Sequence, residues 1–133
     1  MKTYTEFINE GIAWDEYKEL QKFGQKLFDK CKTHKINFRI AKHSLDNFNN
    51  DRNEEPITKA SVVRIFKKGI PKVCKNIEDY MNTKVCLCDK KTHLHIPLTI
   101  ADGADNVIYI NTNSAQNKEG YWLPTDQTPI NIN

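Results

Sequence analysis

The amino-acid sequence predicts an α+β fold, with helices packed on one face of a four- to five-stranded antiparallel sheet. Up to about residue 82, most apolar residues recur every three or four positions, the spacing of amphipathic helices. Beyond that point they recur every second position, the spacing of half-buried strands. Helices followed by hairpin-linked strands are typical of this class and do not fit a βαβ fold.

The first helix is predicted to begin at Asp15, its N-cap, and to extend to about His34. Its apolar stripe consists of Tyr17, Leu20, Leu27, Phe28 and Cys31. Residues 36–40 alternate between apolar and polar side chains and form a short strand. Residues 42–52 return to helical spacing, with Leu45 and Phe48 directed inward.

Thr58 is the predicted N-cap of a further helix that Gly69 ends, and a short helix follows at residues 70–81. The core face of the Thr58 helix is Val62, Ile65 and Phe66. The later strands are predicted near Lys84–Cys88, His93–Ile100, Val107–Thr112 and Tyr121–Leu123.

With 133 residues, the chain has the length of a single domain. We divide it into an N-terminal helical segment (1–35), a core (36–126) and an extended tail (127–133).

No apolar run approaches the roughly 20 residues that a membrane helix requires, and the N-terminus lacks the apolar stretch of a secretory signal. We therefore expect a cytoplasmic protein whose four cysteines are reduced. The net charge of +3 permits nucleic-acid binding without demanding it.

The stretch VCLCDKKTHLHIPL, residues 85–98, places two cysteines and two histidines around a turn. A turn centred on positions 90 and 91 sets Cys88 opposite His93 and Cys86 opposite His95, so that all four side chains share one face. The other face packs on the helices and consists of Val85, Leu87, Leu94 and Ile96.

Three interpretations of the Cys/His face remain open. Two thiolates and two imidazoles are a normal zinc set, but same-face strand residues stand roughly 7 Å apart and nearly parallel, so they diverge from one ion. We predict no metal and no cofactor. A second interpretation is an ordinary polar outer face. The third is a functional groove in which His93 or His95 handles protons or phosphate.

A second polar cluster is predicted on the helix that begins near His43. Residues three and four positions apart are neighbours on a helix, so His43, Asp46, Asn47 and Asn50 form one ridge. Asp46 could orient the imidazole of His43. The alternative is a solvated helix face with no function.

The stretch FRIAKHSLDNFNNDRNEEPITKASVVRIFKKG resembles a region of phage proteins in which a strand precedes His-x-x-Asp-Arg, followed by Asp-Arg and an Ile-Thr that opens a helix ending in Phe-x-Lys. CDKKTHLHIPLTI resembles the Asp-Lys-x-x-x-x-x-Ile-Pro hairpin of the same proteins. The resemblance runs from about residue 37 to 126. The matching residues are His43, Asp46, Asp51, Arg52, Ile57, Thr58, Phe66, Asp89, Lys90, Ile96 and Pro97.

Those phage proteins are similar to the phage endoribonuclease RegB, which has the fold of the RelE and YoeB toxins. The resemblance implies a RelE/RegB-like core that cuts RNA without metal, by attack of a 2′-hydroxyl on the adjacent phosphate. Two positions depart from the family pattern. Asn47 stands where an arginine clamp is expected, and Lys67 stands on or near the place of a second histidine.

We therefore expect a phage-encoded RNA-binding protein or metal-independent endoribonuclease in the host cytoplasm. The resemblance makes His43 the base or phosphate ligand. The expected catalytic residues are His43, His93, His95 and Arg52. The expected RNA-binding residues are Arg39, Lys42, Lys67, Lys68, Lys90 and Lys91. The alternative is a catalytically inactive accessory or virion protein that binds a host or phage protein.

Overall fold

The computed structural model describes residues 12–42, 44, 57–120 and 123–133, which form an α+β fold, as predicted. Within these ranges the helices are α1 (Trp14–Phe28) and α2 (Lys59–Lys75). Short 3-10 helices at Ile77–Tyr80 and Ala104–Asn106 precede the second and fourth strands. The strands are β1 (Lys35–Ile40), β2 (Lys84–Asp89), β3 (Leu94–Asp102), β4 (Val107–Thr112), β5 (Gln116–Asn117) and β6 (Gln127–Asn131).

All six strands belong to one mixed sheet of order β1-β4-β3-β2-β6, in which β5 also pairs with β3. The β2–β3 and β3–β4 pairs are antiparallel. The edge strands run parallel to their neighbours, β1 to β4 and β6 to β2, so the prediction of an antiparallel sheet of four to five strands is wrong in this respect. Short turns enforce antiparallel pairing from β2 to β4, whereas β1 and β6 are reached by long connections that allow parallel pairing.

The β2–β3 hairpin lies at the centre of the sheet, and its predicted apolar face is confirmed. All four side chains predicted for this inner face, which packs on the helices, have no exposed surface. Ile130 of β6 and Ile110 of β4 extend the same face into the neighbouring strands. The buried hairpin residues are Val85, Leu87, Leu94 and Ile96.

Helix α1 lies along the free edge of β1. Its side chains bond the backbone groups with which a further strand would pair. The Gln21 side chain accepts from the Ile40 N–H at 2.6 Å and donates to the Phe38 carbonyl at 2.8 Å. Gln25, one turn later, bonds Phe38 N–H and the Ile36 carbonyl in the same way, each at 2.8 Å. The glutamines thus satisfy backbone groups that an edge strand otherwise leaves open.

This close approach depends on Gly24, because a Cβ atom there would overlap the ring of Phe38. Phe38 packs between the helices, 5.1 Å from the ring of Phe28 and 5.7 Å from that of Phe66, measured between centroids.

The N-cap of α1 is Ala13 and not the predicted Asp15. The Glu16 carboxylate accepts the Ala13 N–H at 3.1 Å.

Helix α2 is longer than predicted. Thr58 is its N-cap, as predicted, and its side chain accepts from the Ser61 N–H at 3.2 Å. The helix does not end at Gly69 but continues through Pro71 to Lys75. Gly69 has a packing role, since a Cβ atom there would lie 2.9 Å from Leu87 on the sheet.

The continuation of α2 brings Cys74 beside Cys31, and the two form a disulfide with Cα atoms 5.6 Å apart. The prediction of reduced thiols is therefore wrong for this pair. Cys86 and Cys88 are free and buried. The disulfide joins the end of α1 to the end of α2, across 43 residues of chain.

Residues 127–133, assigned to an extended tail, contain β6 and belong to the sheet. Beyond β6, the Ile132 N–H donates to the Cys88 carbonyl at 3.1 Å. The predicted helix at 42–52 and the predicted strand at Tyr121–Leu123 lie largely outside the described residues. None of the described helices is both long enough and apolar enough to span a membrane.

Replacing Leu94 with Ala should lower the free energy of unfolding by about 2–5 kcal/mol, because it opens a cavity in the inner face. Thr99 is exposed on the opposite face of the same strand and serves as the control. Thr99→Ala should change the free energy by less than about 0.5 kcal/mol in urea unfolding. Equal effects of the two substitutions would contradict the assignment of the faces.

Reduction of the disulfide should lower the free energy of unfolding by roughly 2–4 kcal/mol, because the unfolded chain regains the entropy of a 43-residue loop. Thermal unfolding with and without dithiothreitol measures this loss. A Cys31→Ala/Cys74→Ala variant should be less stable from the outset and should not respond to reductant. A wild-type protein with four titratable thiols and no response would exclude the disulfide.

Candidate functional site

A groove of about 520 Å³ opens beside the turn of the β2–β3 hairpin, on the outer face of the sheet, opposite the helices. Its floor is a row of directly paired residues, His95 of β3, Cys88 of β2 and Asn131 of β6. The hairpin turn forms one wall. The connection from β5 to β6 forms another through Lys118, Glu119 and Leu123. This volume lies within the range of pockets that hold small molecules.

The register of the hairpin differs from the predicted one. Asp89 pairs with Leu94, so the turn comprises four residues, 90–93. Cys88 therefore lies opposite His95, not His93, and Cys86 lies opposite Pro97, not His95. Cys86, Cys88 and His95 still share the outer face, as predicted.

Side-chain and backbone geometry at the turn explain the longer loop. The Asp89 carboxylate accepts the Lys91 N–H at 2.9 Å, which holds the start of the turn. His93, the last turn residue, has a φ of 60°. This left-handed conformation is uncommon for a residue with a side chain, and it closes the four-residue loop.

The backbone of His93 is held by two hydrogen bonds to one carbonyl. The His93 oxygen accepts the N–H of Lys118 and the ring Nδ1–H of His95, each at 3.1 Å. The first bond ties the turn to the end of β5, and the second ties it to β3. His93 is half-buried and lines the groove, and its carbonyl is held in place from two sides.

The pKa of His95 lies below the usual value for histidine. Half-burial disfavours the imidazolium and is the main cause, and the nearby His93 ring adds charge repulsion. The His93 and Gln116 carbonyls and the Asp89 charge act in the opposite direction without cancelling the shift. His95 is therefore a neutral ring at neutral pH, with Nδ1 protonated because a carbonyl can only accept.

Cys86 and Cys88 lie two residues apart on the outer face of β2, where the Cys88 thiol donates to the Cys86 carbonyl at 3.4 Å and the Cys86 thiol donates to the Leu87 carbonyl at 3.7 Å. Interaction between the two thiols lowers the pKa of Cys88 and raises that of Cys86. Burial also raises the pKa of Cys86, which is fully buried between Pro97 and Pro129. Cys88 is therefore the thiol of the pair that ionises first, and it is the one that lines the groove.

Two lysines supply positive charge to the groove. Lys90 of the turn and Lys118 of the β5–β6 connection are both exposed and line it, and Glu119 is the opposing charge. Lys91 is exposed in the same turn. Of the expected RNA-binding residues, Lys90 is therefore at the groove and Lys91 adjoins it.

The remaining expected cations lie elsewhere. Arg39 is on the outer face but on β1, at the far edge of the sheet. Lys42 is exposed just after β1. Lys67 and Lys68 are exposed on α2, on the other side of the sheet from the groove. His43 and Arg52, with the rest of the polar ridge, lie outside the described residues.

A buried ion pair anchors the turn from the inner face. The Asp89 carboxylate is fully buried and accepts from Arg64 Nε at 2.8 Å. Burial acts to raise the pKa of Asp89, but Arg64 and the Lys91 N–H outweigh it, and the pKa is lowered. Asp89 is therefore ionised at neutral pH, and its charge is compensated by α2.

Sequence reasoning missed Lys118, Glu119 and Arg64. Lys118 and Glu119 lie in a polar stretch without periodicity, and they reach the groove because β5 continues along β3 beyond β4. Asn111 pairs with Thr99 and Gln116 with His95, so the β4–β5 side carries one extra residue, as in a β-bulge. No local signal in the sequence marks this continuation.

Among the described residues, no three histidine, cysteine, aspartate or glutamate side chains are arranged to hold a metal ion. At the floor of the groove, Cys86 and Cys88 follow each other along one strand, and the Nδ1 atom of His95 is bonded to the His93 carbonyl. The expectation that the protein contains no zinc remains a prediction.

No protein-family model, curated protein or solved structure matches this chain. The functional argument therefore depends on the geometry and chemistry of the groove.

Arg64→Ala should lower the free energy of unfolding by roughly 3 kcal/mol, because it leaves the Asp89 carboxylate buried without its partner. Lys59→Ala, which breaks the exposed pair with Glu19, is the control and should cost less than about 1 kcal/mol. The wild-type contribution of Asp89 should be complete above about pH 4 and disappear as the pH falls through its lowered pKa. Equal losses in the two variants, or a loss in Arg64→Ala that persists at low pH, would contradict this role.

Proposed function

We propose that this protein binds RNA at the hairpin groove and cleaves it without a metal ion. The observation that carries the proposal is the meeting of His93 and His95 with Lys90 and Lys118 around one groove. Cleavage by a 2′-hydroxyl requires a proton acceptor, a proton donor and cations around one phosphate. Imidazole and ammonium groups supply these functions near neutral pH.

His93 is the proton-transferring residue of the groove in this proposal. Its backbone carbonyl is held by two hydrogen bonds, which fix the point of the turn from which the side chain extends. His95 positions His93 through the bond from its Nδ1–H to the His93 carbonyl. The RegB resemblance gives the second proton-transfer role to His43, which lies outside the described residues.

Lys90 and Lys118 bind the phosphate in this proposal. They belong to two different segments, the hairpin turn and the β5–β6 connection, and both line the groove. The buried Asp89 charge does not oppose a phosphate, because Arg64 compensates it. Glu119 on the same wall as Lys118 limits the net positive charge, which favours weak binding.

The remainder of the outer face suits single-stranded RNA. Tyr109 of β4 is 44% exposed, and its ring packs over Gly103. Arg39 lies on the same face of the neighbouring strand β1. An exposed aromatic ring on which a base can stack, with cations that follow the backbone, is the usual equipment of proteins that bind single strands.

His93→Ala should reduce RNA cleavage by about 100-fold, since it removes the proton-transferring group. The products should carry 2′,3′-cyclic phosphates, and EDTA should not inhibit. His95→Ala should also reduce the rate. The control is His34→Ala, because His34 contacts Glu78 at 3.7 Å and precedes β1, at the end of the sheet away from the groove.

RNA affinity provides an independent measurement. The double variant Lys90→Gln/Lys118→Gln should weaken binding of a single-stranded oligoribonucleotide and lower the slope of log affinity against log salt by about 2, one for each lysine. Lys22→Gln/Lys26→Gln, exposed on α1, is the charge-matched control and should leave the slope unchanged. If the wild type neither binds nor cuts RNA, the proposal fails and the accessory, protein-binding role remains.

A further inference from the structure

We infer that α2 binds the sugar–phosphate backbone of double-stranded RNA along its exposed face. This inference adds a second RNA surface to the groove, and the choice of RNA as the partner rests on the proposed function. It depends on the charge of α2, on the side chains that its exposed face lacks and on its contact with the strand that borders the groove.

The charge of α2 is uniformly positive. The helix contains six basic and no acidic side chains, although the whole chain has a net charge of only +3. In α1, by contrast, three basic side chains are balanced by three acidic ones. The next acids along the chain after α2 are Glu78 and Asp79, in the 3-10 helix that follows. A surface with such an excess of one charge attracts polyanions.

Four of these basic residues lie on one exposed face of the helix, which we call the lysine face. At about 3.6 residues per turn, they fall within an arc of about 140°, on the side opposite the buried residues of α2. None of them forms an ion pair with another residue that the structure describes. Their charges are therefore available to a partner. The lysine face consists of Lys67, Lys68, Lys72 and Lys75, all exposed, with Pro71 between them.

The lysine face lacks the side chains that other partners require. Apart from Pro71, it carries no aromatic or aliphatic residue. Proteins that bind single strands use aromatic rings for stacking. Interfaces between proteins have an apolar centre from which lysine is depleted, and helices that lie on membranes have an apolar face beside the basic one. The phosphates of a duplex require only positive charge, so its backbone is the partner that the lysine face fits.

The spacing of the lysines suits the charge density of a duplex. Lys68 and Lys72 are one turn apart, about 6 Å along the helix axis, and Lys67 and Lys75 are about 12 Å apart along it. A DNA duplex carries roughly one phosphate per 1.7 Å of its axis, and an RNA duplex is similarly dense. Each ammonium group can therefore reach a phosphate whatever the base sequence, so we expect binding without sequence preference.

The lysine face meets the groove around the edge strand β6. Lys72 donates from Nζ to the Asn131 carbonyl at 2.6 Å, and Asn131 lines the groove. Arg64, on the same side of α2, bonds Asp89, which also lines the groove. Since an ammonium group has three N–H donors, Lys72 keeps two for a phosphate. An RNA with its duplex on the lysine face can therefore pass an adjoining single strand around β6 into the groove.

Fluorescence anisotropy with a blunt RNA duplex of about 16 base pairs, the span of one double-strand-binding domain, tests the lysine face. Lys67→Gln/Lys68→Gln/Lys75→Gln should weaken binding and lower the slope of log affinity against log salt by about 3, one for each lysine. Lys72 is left in place because it bonds the Asn131 carbonyl. Lys67→Arg/Lys68→Arg/Lys75→Arg keeps the charge and should keep the slope. A wild type that does not bind the duplex would overturn the inference.

A matched triple variant at the groove is the positional control. Lys90→Gln/Lys91→Gln/Lys118→Gln removes the same number of charges and should weaken binding of a single-stranded oligoribonucleotide, leaving the affinity for the duplex unchanged. Circular dichroism verifies that all the variants are folded. Equal losses of duplex affinity in the groove variant and in the glutamine variant of α2 would contradict the assignment of the duplex to the lysine face.

Other polyanions test the identity of the partner. Polyglutamate and phosphatidylserine vesicles present negative charge without a duplex. If either binds as tightly as the RNA duplex and through the same three lysines, the lysine face belongs to an acidic protein or a membrane surface, and the inference fails. A wild type that binds the duplex through the lysine face but cuts no RNA would remove the ribonuclease proposal and leave this one. Cleavage without duplex binding would do the reverse.

Discussion

Burial of one face of the β2–β3 hairpin is the constraint on which the rest of the structure depends. Leu87 and Leu94 have no exposed surface, and because side chains alternate across a strand, their burial directs Cys88 and His95 to the other face. The hairpin is also the centre of the sheet, with β4 added to β3 and β6 added to β2. A slip of one residue would exchange the faces, burying the imidazole and exposing leucine. The position of the groove is thus fixed by the hydrophobic core beneath it.

The two edges of the sheet are closed in different ways, and this leaves the outer face as the recognition surface that we propose. On β1, the glutamines of α1 satisfy the backbone groups of the free edge, an arrangement that Gly24 permits by allowing close contact with Phe38. On β6, Pro129 has no N–H to offer a further strand, and Lys72 donates to the Asn131 carbonyl at 2.6 Å. Both devices oppose the addition of another strand.

The groove is assembled from segments that are distant in sequence, and its chemistry follows from how they are held. Arg64 anchors Asp89 from the inner face, while the His93 carbonyl joins the turn to Lys118 and to His95. Burial keeps the His95 ring neutral. The thiol of Cys88 lies beside these groups and lines the same groove.

The sequence by itself determined the α+β class, the positions of β1 to β4 and the apolar face of the hairpin, because these follow from local periodicity and solvent exposure. It did not determine the parallel edge strands, the Cys31–Cys74 disulfide or the continuation of α2 past Gly69, which depend on contacts between segments far apart in the chain. The residues of the groove fall into the same two groups, those that a local pattern predicts and those that only tertiary contacts bring to the site. Two histidines and Lys90 could be selected from their pattern, but the turn length, and hence which side chain faces Cys88, depended on the Asp89 hydrogen bonds. Lys118 and Arg64 joined the site only through tertiary structure, since pairing along β3 and packing of α2 leave no periodic signal in the sequence.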